Sequence, residues 1–410
     1  MTRIAYLVSD YFAPSHTFVR REVDALRKRG MEVALFSVKR SALKGNSRVE
    51  SLLGRPPIDY PTALLWGLFS RPLASLSAWA LATRHRAPGL KAFIWSQFHF
   101  VEAVVLARQL AKVRSTRLHC HFANSGAGVG MIAAHLLSLP WSLTLHGISE
   151  TDYPAGLLLP EKIERADLVI CASYFMRAQA MRMADPKHWL KLHVVRCGVE
   201  PVTLPPVPAR RGEVGLRLIS VGRISPEKGY FGLLEALASL AQQGQAFTLT
   251  VVGDGPAMNA TRARVADLRL ENRVTFAGAL GEDDALAQIA AADVLVLPSL
   301  MEGLPVVLIE AMALGKAVIA SRVAGIPELV EDGVSGLLFT PSDWDDLQAR
   351  LTLALRDSAL RESLSQAGRR AVEGRFLISQ AAECLEQLFG SSDAINSQQN
   401  RRQTGDTSGR

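Results

Sequence analysis

The chain has 410 residues, about twice the length of a typical domain, so two domains are expected. Hydrophobic residues make up 48% and charged residues 21%, a composition that excludes a wholly disordered chain and leaves ample core. The net charge of +7 is unevenly spread: residues 1–200 hold 26 Lys and Arg against 14 Asp and Glu, a balance of +12, while the remainder carries −5. A basic half beside an acidic half points the first half toward an anionic partner. No basic run is interleaved with aromatics, so nucleic acid is set aside. An anionic membrane surface or a phosphate-bearing lipid is expected instead. Cys120, Cys171, Cys197 and Cys384 lie far apart without a Cys-x-x-Cys pair, as reduced core residues of a cytoplasmic protein would.

The apolar run 4–9 reads as a buried strand and is too short for a signal peptide. Phe18, Val19, Val23 and Leu26 then recur at helical spacing, Gly30 supplies a stop, and 33–38 is the next strand. Residues 64–81 are apolar with Trp66 and Trp79, are broken by Arg71-Pro72, and are surrounded by Arg55, Arg84, Arg86 and Lys91. Neither piece reaches the roughly 20 residues that span a bilayer. They read as a pair of partly buried helices, with placement at a membrane interface as the alternative. Strands follow at 118–122, 143–146, 168–172 and 192–196. His119 and His121 share one strand face, as a metal pair would, but no third ligand is evident; they read as polar core or cleft residues, and no metal site is assigned. Pro201, Pro205, Pro206 and Pro208, then Arg210-Arg211-Gly212, mark a linker over 201–213.

The second half repeats the alternation, with strands at 216–221, 248–252, 274–277, 294–297, 317–320 and 337–339 separated by helices. The fold class is therefore α/β, parallel sheets flanked by helices. Asp343-Trp344-Asp345 and Glu282-Asp283-Asp284 read as ordinary acidic helix starts. A last amphipathic stretch over 378–389 can pack back across both domains, and the polar tail 391–410 is expected to be disordered.

Three stretches of this half carry chemistry. Gly222-Arg223-Ile224-Ser225-Pro226-Glu227-Lys228-Gly229 leaves a strand end with two cations five residues apart, able to clamp a diphosphate. Gly253-Asp254-Gly255-Pro256 opens the next helix; Gly253 would let a nucleotide approach, and the segment from Arg273 through Val274 to Gly278 would offer backbone contacts to its base. The missing third glycine disfavours a dinucleotide fingerprint, and with it an NAD oxidoreductase. Finally, Glu302-Gly303-Leu304-Pro305 precedes a helix that carries Glu310. A helix start beyond the carboxyl end of a strand is where open α/β sheets bind ligands, and its free N–H groups suit a phosphate.

These stretches, together with Pro298-Ser299, Glu310-Ala311-Met312-Ala313, Gly325-Ile326-Pro327-Glu328 and Asp332-Gly333, resemble the retaining family 4 glycosyltransferases. The resemblance is strong over 215–340. Residues 10–19 with Glu22-Val23 resemble members that build bacterial exopolysaccharides of the colanic-acid type. It implies the GT-B architecture: two Rossmann-like, doubly wound domains facing a cleft, with a C-terminal helix crossing back. Residues 1–200 would be the acceptor-side domain, 214–375 the nucleotide-sugar-binding domain and 376–390 the crossover helix. Carried over by position, Arg223 and Lys228 contact the donor diphosphate, Glu310 the ribose, and Glu302 the sugar hydroxyls. Gly222, Gly253, Val274, Gly303, Leu304 and Pro305 complete the donor site. His146, in Leu143-Thr144-Leu145-His146-Gly147, approaches the reacting carbon. The loop after the first strand departs from many relatives in having no glycine, and Ser15, His16 and Thr17 are its acceptor-side candidates. The implied activity is metal-independent hexosyl transfer, without a cofactor beyond the nucleotide-diphosphate sugar, to a lipid-linked or oligosaccharide acceptor. The protein would act in the cytoplasm, peripheral at the inner membrane face. A nucleotide-sugar epimerase of the same architecture and a non-catalytic nucleotide-sugar-binding subunit are the alternatives.

Overall fold

The computed structural model describes residues 3–13, 16–40, 48–208 and 215–403. The chain divides into two compact units, residues 1–196 with 381–410, and residues 197–380. Each is built on one parallel sheet. In the first, the strands are β1 (Arg3–Val8), β2 (Glu32–Ser37), β3 (Val49–Ser51), β4 (Arg117–His121), β5 (Trp141–Leu145), β6 (Leu168–Cys171) and β7 (Leu192–Val194). Their order is β3-β2-β1-β4-β5-β6-β7. The second unit has β8 (Leu216–Val221), β9 (Phe247–Val252), β10 (Val274–Gly278), β11 (Val294–Leu297), β12 (Ala317–Ser321) and β13 (Leu337–Phe339), ordered β10-β9-β8-β11-β12-β13.

Near-continuous apolar runs form these strands because helices cover both faces of a parallel sheet. Ile4 to Val8 and Val294 to Leu297 are all buried. In each sheet the strand order reverses once, between β1 and β4 and between β8 and β11. In open α/β sheets, ligands bind beyond the carboxyl ends of the strands at such a reversal. The candidate residues in each unit are positioned by that geometry.

The apolar stretch over 64–81 forms two helices, Asp59–Ser70 and Pro72–Arg84, separated at Arg71. Among the described residues, one helix, Leu90–Lys112, is long and apolar enough to cross a membrane. Its second half is core, with Ala103 through Ala107 and Leu110 buried. Its first half exposes Leu90, Ile94 and Phe98.

The unit boundary lies a few residues before the proline-rich stretch, at Arg196/Cys197, because Val199 is fully buried and forms a parallel bridge with Leu377 in the second unit. The chain returns to the first unit at Ala381 through the helix Ile378–Gln403. Ala382, Leu385 and Phe389 recur at helical spacing and are fully buried, and Phe389 packs its ring against His119. The expected disordered tail is corrected in part. The helix continues to Gln403, since Ala394, Gln398, Gln399 and Arg401 favour helix and no proline or glycine interrupts 391–403. Residues 404–410 lie outside the described residues.

Candidate active site

In the second unit, Gly222 and Arg223 follow β8, and the loop 298–305 follows β11, its neighbour across the strand-order reversal. A short turn, Pro226–Lys228, brings Lys228 back toward that loop. The Lys228 ammonium lies 2.5 Å from Glu302 Oε1, which also accepts from the Ser299 hydroxyl at 2.6 Å. The Glu302 side chain is 9% exposed and that of Lys228 21%, so the pair is largely out of solvent. Leu300 N–H donates to the Glu227 carbonyl at 2.8 Å, and this bond ties the two loops together. Burial pushes the Glu227 carboxyl up, but the Ser225 hydroxyl and the charges of Arg223 and Lys228 outweigh it and hold the group below its ordinary value. Arg223 is exposed.

The helix behind Glu302 runs Val306–Ala313, with Pro305 at its cap and Glu310, half-buried, at its fifth position. Leu308 N–H bonds to the Pro305 carbonyl, and the first-turn N–H groups of Val306 and Val307 have no carbonyl to bond within the helix itself. Gly303 and Leu304 are buried in the loop before it.

Gly253 has a reason to be glycine that the sequence did not show. A Cβ there would lie 1.9 Å from the Gly222 carbonyl oxygen, and its φ is +138°. Backbone passes over backbone where β8 and β9 end, with Gly253 N–H bonded to the Gly278 carbonyl. The close approach is to the chain itself. Val274 is not brought to this edge. It pairs with Leu249 at the other end of β10 and sits in the apolar core; it is Gly278 that reaches the loops.

The first unit gathers a second set at the ends of β1, β4 and β5. His121 Nδ1 lies 2.9 Å from His146 Nε2 with their ring planes 16° apart, and His121 Nε2 lies 3.3 Å from Glu22 Oε1. Glu22 also accepts from the Tyr6 hydroxyl at 2.7 Å. Which ring nitrogen donates between His121 and His146 depends on the tautomer. Burial, then the charges of His121 and His16, push His146 well below the usual histidine range. His16 bonds to the Asp10 carbonyl at 2.6 Å and packs on Phe122, as His146 does. Thr17 begins the helix Thr17–Lys28, and Ser15 lies outside the described residues.

The sequence reading found no third partner for His119 and His121, but the fold supplies Glu22, and ligand atoms of all three lie within 4.8 Å of one another. Both His119 nitrogens are already taken, by the Ser142 and Thr144 hydroxyls.

Two further groups had no sequence signal. Glu150 is 5% exposed and accepts from Ala123 N–H at 2.5 Å, His146 N–H at 2.6 Å and Gly147 N–H at 2.8 Å. Lys162, 2% exposed, donates to the Ala123 carbonyl at 2.6 Å; burial, opposed by the Glu150 charge, lowers its pKa to about 8. Together they brace the backbone that presents His146.

The model of the family described as glycosyl transferases group 1 matches residues 211–371. The Escherichia coli colanic acid biosynthesis glycosyltransferase WcaL is 26% identical over 370 residues, which cover 85% of this chain and 89% of that protein. The alpha-maltose-1-phosphate synthase of Mycobacterium tuberculosis is 31% identical over 285 residues, 62% of this chain and 73% of that one. Among solved structures, Anabaena HepE in complex with UDP superposes with a TM-score of 0.73 at 19% identity, covering 95% of this chain and 100% of its own. With two parallel-sheet units of the GT-B architecture, the chain belongs to the group 1 family of glycosyl transferases and is a glycosyltransferase.

Proposed function

We propose that the protein is a retaining, metal-independent hexosyltransferase of bacterial surface polysaccharide synthesis. It moves a sugar from a nucleotide-diphosphate sugar to a lipid-linked or oligosaccharide acceptor. The observation that carries this reading is the Lys228–Glu302–Ser299 constellation beside a helix start, at the strand-order reversal of the second unit. A cation, a carboxylate and free helix N–H groups suit a diphosphate and the sugar hydroxyls attached to it. HepE has been solved with UDP and with UDP-glucose, and WcaL is named for colanic acid synthesis; both support the donor and the product class.

In this mechanism the bond between the anomeric carbon and the phosphate oxygen breaks as the acceptor oxygen bonds to the same face of that carbon. The acceptor proton passes to the departing phosphate. Arg223, Lys228 and the N–H groups of Val306 and Val307 neutralise the charge that develops on the diphosphate. Glu302 holds sugar hydroxyls, Glu310 the ribose, and neither is a covalent nucleophile. In the acceptor-side unit, the proposed roles fall to His146 at the transfer step and to His16 and Thr17 at the acceptor. The cytoplasmic face of a membrane is the proposed place of action.

Screening nucleotide sugars by thermal shift identifies the donor, because a ligand of the native state raises stability with the logarithm of its concentration over its Kd. With that donor, Glu310→Gln and Lys228→Ala should abolish transfer while circular dichroism shows an intact fold. Full transfer by both variants would refute the assignment.

A further inference from the structure

The first unit contains a cavity of about 540 Å3 that none of the roles above uses. That volume is within the range of small-ligand pockets. Its walls are largely apolar, with Ala82, Pro88, Ala92, Trp95, Ile132 and Leu158 among them. Arg86, Lys91 and Lys162 also line it, whereas no Asp or Glu does. Lys162 is committed to the carbonyls of Ala123 and Asn124, and Arg86 to those of Thr83 and Ala87, while Lys91 is exposed. A site for a sugar chain would need carboxylates or uncommitted amides to grip hydroxyls, and the Asn124 amide in this wall is already bonded to the Ser9 hydroxyl and the Gly126 N–H. This one combines apolar wall with positive charge, which suits a hydrocarbon chain that carries an anionic head.

The way in is written on the helix Leu90–Lys112. Lys91, Trp95 and His99, spaced by four, line the cavity. The adjacent ridge of the same helix, Leu90, Ile94 and Phe98, is 75%, 49% and 57% exposed. Residues four apart lie one above another on a helix, so the two ridges run side by side. The preceding helices add Phe69 and Leu73, exposed at 80% and 82%. Large exposed apolar side chains with a Trp and neighbouring basic residues are the composition of a surface that rests in a lipid interface. The cavity is also lined by Ala123, Asn124 and Ser125, the segment that directly continues His121 and Phe122. A chain held in the cavity would therefore lie beside the acceptor-side cluster.

We propose that this cavity binds the apolar chain of a lipid phosphate, the carrier of the acceptor glycan, drawn from a bilayer against which the Leu90–Ile94–Phe98 ridge rests. The proposal rests on the acceptor reading above and chooses the lipid-linked acceptor over the free oligosaccharide.

Gly128 provides the test. It lines the cavity from the helix Ser125–Leu137, and a Cβ added there meets nothing within 4 Å, so a larger side chain grows into the empty space. The full chain is titrated with dodecyl phosphate below its micelle concentration, and binding is read by calorimetry and by fluorescence of Trp95. Wild type and Gly128→Ala should bind, Gly128→Phe should bind at least about 10-fold more weakly, and inorganic phosphate or dodecanol alone should bind far less than dodecyl phosphate. Equal binding by wild type and Gly128→Phe would remove the cavity from the account. Equal effects of inorganic phosphate would reduce the site to an anion site, and equal effects of dodecanol to an apolar one; either overturns the proposal. Should Gly128→Phe fail to fold, Ala155→Trp fills the cavity from another wall segment, with the same outcomes expected. No nucleotide sugar enters these measurements. Failure of the lipid proposal is therefore read from binding, and failure of the transferase reading from the absence of sugar transfer.

Discussion

Glu150→Gln should be among the most damaging conservative changes in the first unit. The wild-type carboxylate receives three backbone N–H groups while 95% of the residue is out of solvent. A glutamine oxygen in place of Oε1 keeps the bonds from His146 and Gly147. Its amide nitrogen then faces the Ala123 N–H, donor against donor. One hydrogen bond to a charged acceptor is lost, about 1.5–3 kcal/mol. The buried Lys162 ammonium also loses its opposing charge, and breaking a buried pair from one side typically costs about 3–5 kcal/mol in all. Five of the six tryptophans (Trp66, Trp79, Trp95, Trp141 and Trp189) lie in the first unit, so urea unfolding followed by tryptophan fluorescence reports on it. With a slope of about 2 kcal/mol/M, the midpoint should fall by roughly 2 M. Lys162→Met added to Glu150→Gln should cost less than the sum of the two single changes by more than about 1 kcal/mol, because the orphaned charge is gone. A midpoint within about 0.5 M of wild type, or strict additivity in the double variant, would refute the brace.

Acid should weaken the same unit through His85. Burial first, and then the Lys162 charge, lower its pKa from 6.5 to about 4. Its folded value lies below its unfolded value, so the stability it contributes is whole above pH 6.5 and is lost as pH falls toward 4. The full loss is roughly 3 kcal/mol at 1.36 kcal/mol per pH unit. In His85→Gln the urea midpoint should depend less on pH between 6.5 and 4; parallel profiles for the two proteins would remove His85 as the cause. In the second unit, Gly253→Ala forces a Cβ to within 1.9 Å of the Gly222 carbonyl at a φ of +138°. It should cost at least about 2 kcal/mol, read from the fluorescence of Trp344, the sixth tryptophan. An unchanged transition would show that the two loops can part freely.

The twelve strands expected from apolar runs are all present, because a parallel sheet buried on both faces leaves so plain a trace. β3 was missed, since Val49–Ser51 is three half-buried residues with no run to read. Strand order is absent from local pattern, so the reversals that place both sites had to come from the fold. The candidate residues were legible where they occur in short stretches after a strand. Their partnerships were not: Ser299 stands in a recognisable stretch but nothing there says that its hydroxyl donates to Glu302, and Glu150 is one glutamate in a polar turn. Glu22 meets His121 only because β1, β4 and the helix Thr17–Lys28 converge. For Val274 the sequence is silent on position, because a strand near a binding loop does not say which of its ends faces that loop.

The Lys228–Glu302 contact sets a condition on donor binding that the separate roles of the two residues conceal. The ammonium proposed to meet the diphosphate lies 2.5 Å from a carboxylate. A donor must therefore either share Lys228 with Glu302 or draw it away. Sharing is favourable only if the sugar hydroxyls repay Glu302 with hydrogen bonds of their own, which a bare nucleoside diphosphate cannot do. Glu302 would thus penalise the spent nucleotide relative to the intact donor and favour its release after transfer. Glu302→Gln removes that competition, and UDP as a probe should bind about 3- to 10-fold more tightly, roughly 1 kcal/mol, in calorimetry. The intact nucleotide sugar should lose its advantage over the bare diphosphate, and transfer should fall. If the variant binds UDP more weakly than wild type, Glu302 does not compete for Lys228 but holds it in place, and the discrimination must come from elsewhere in the loop.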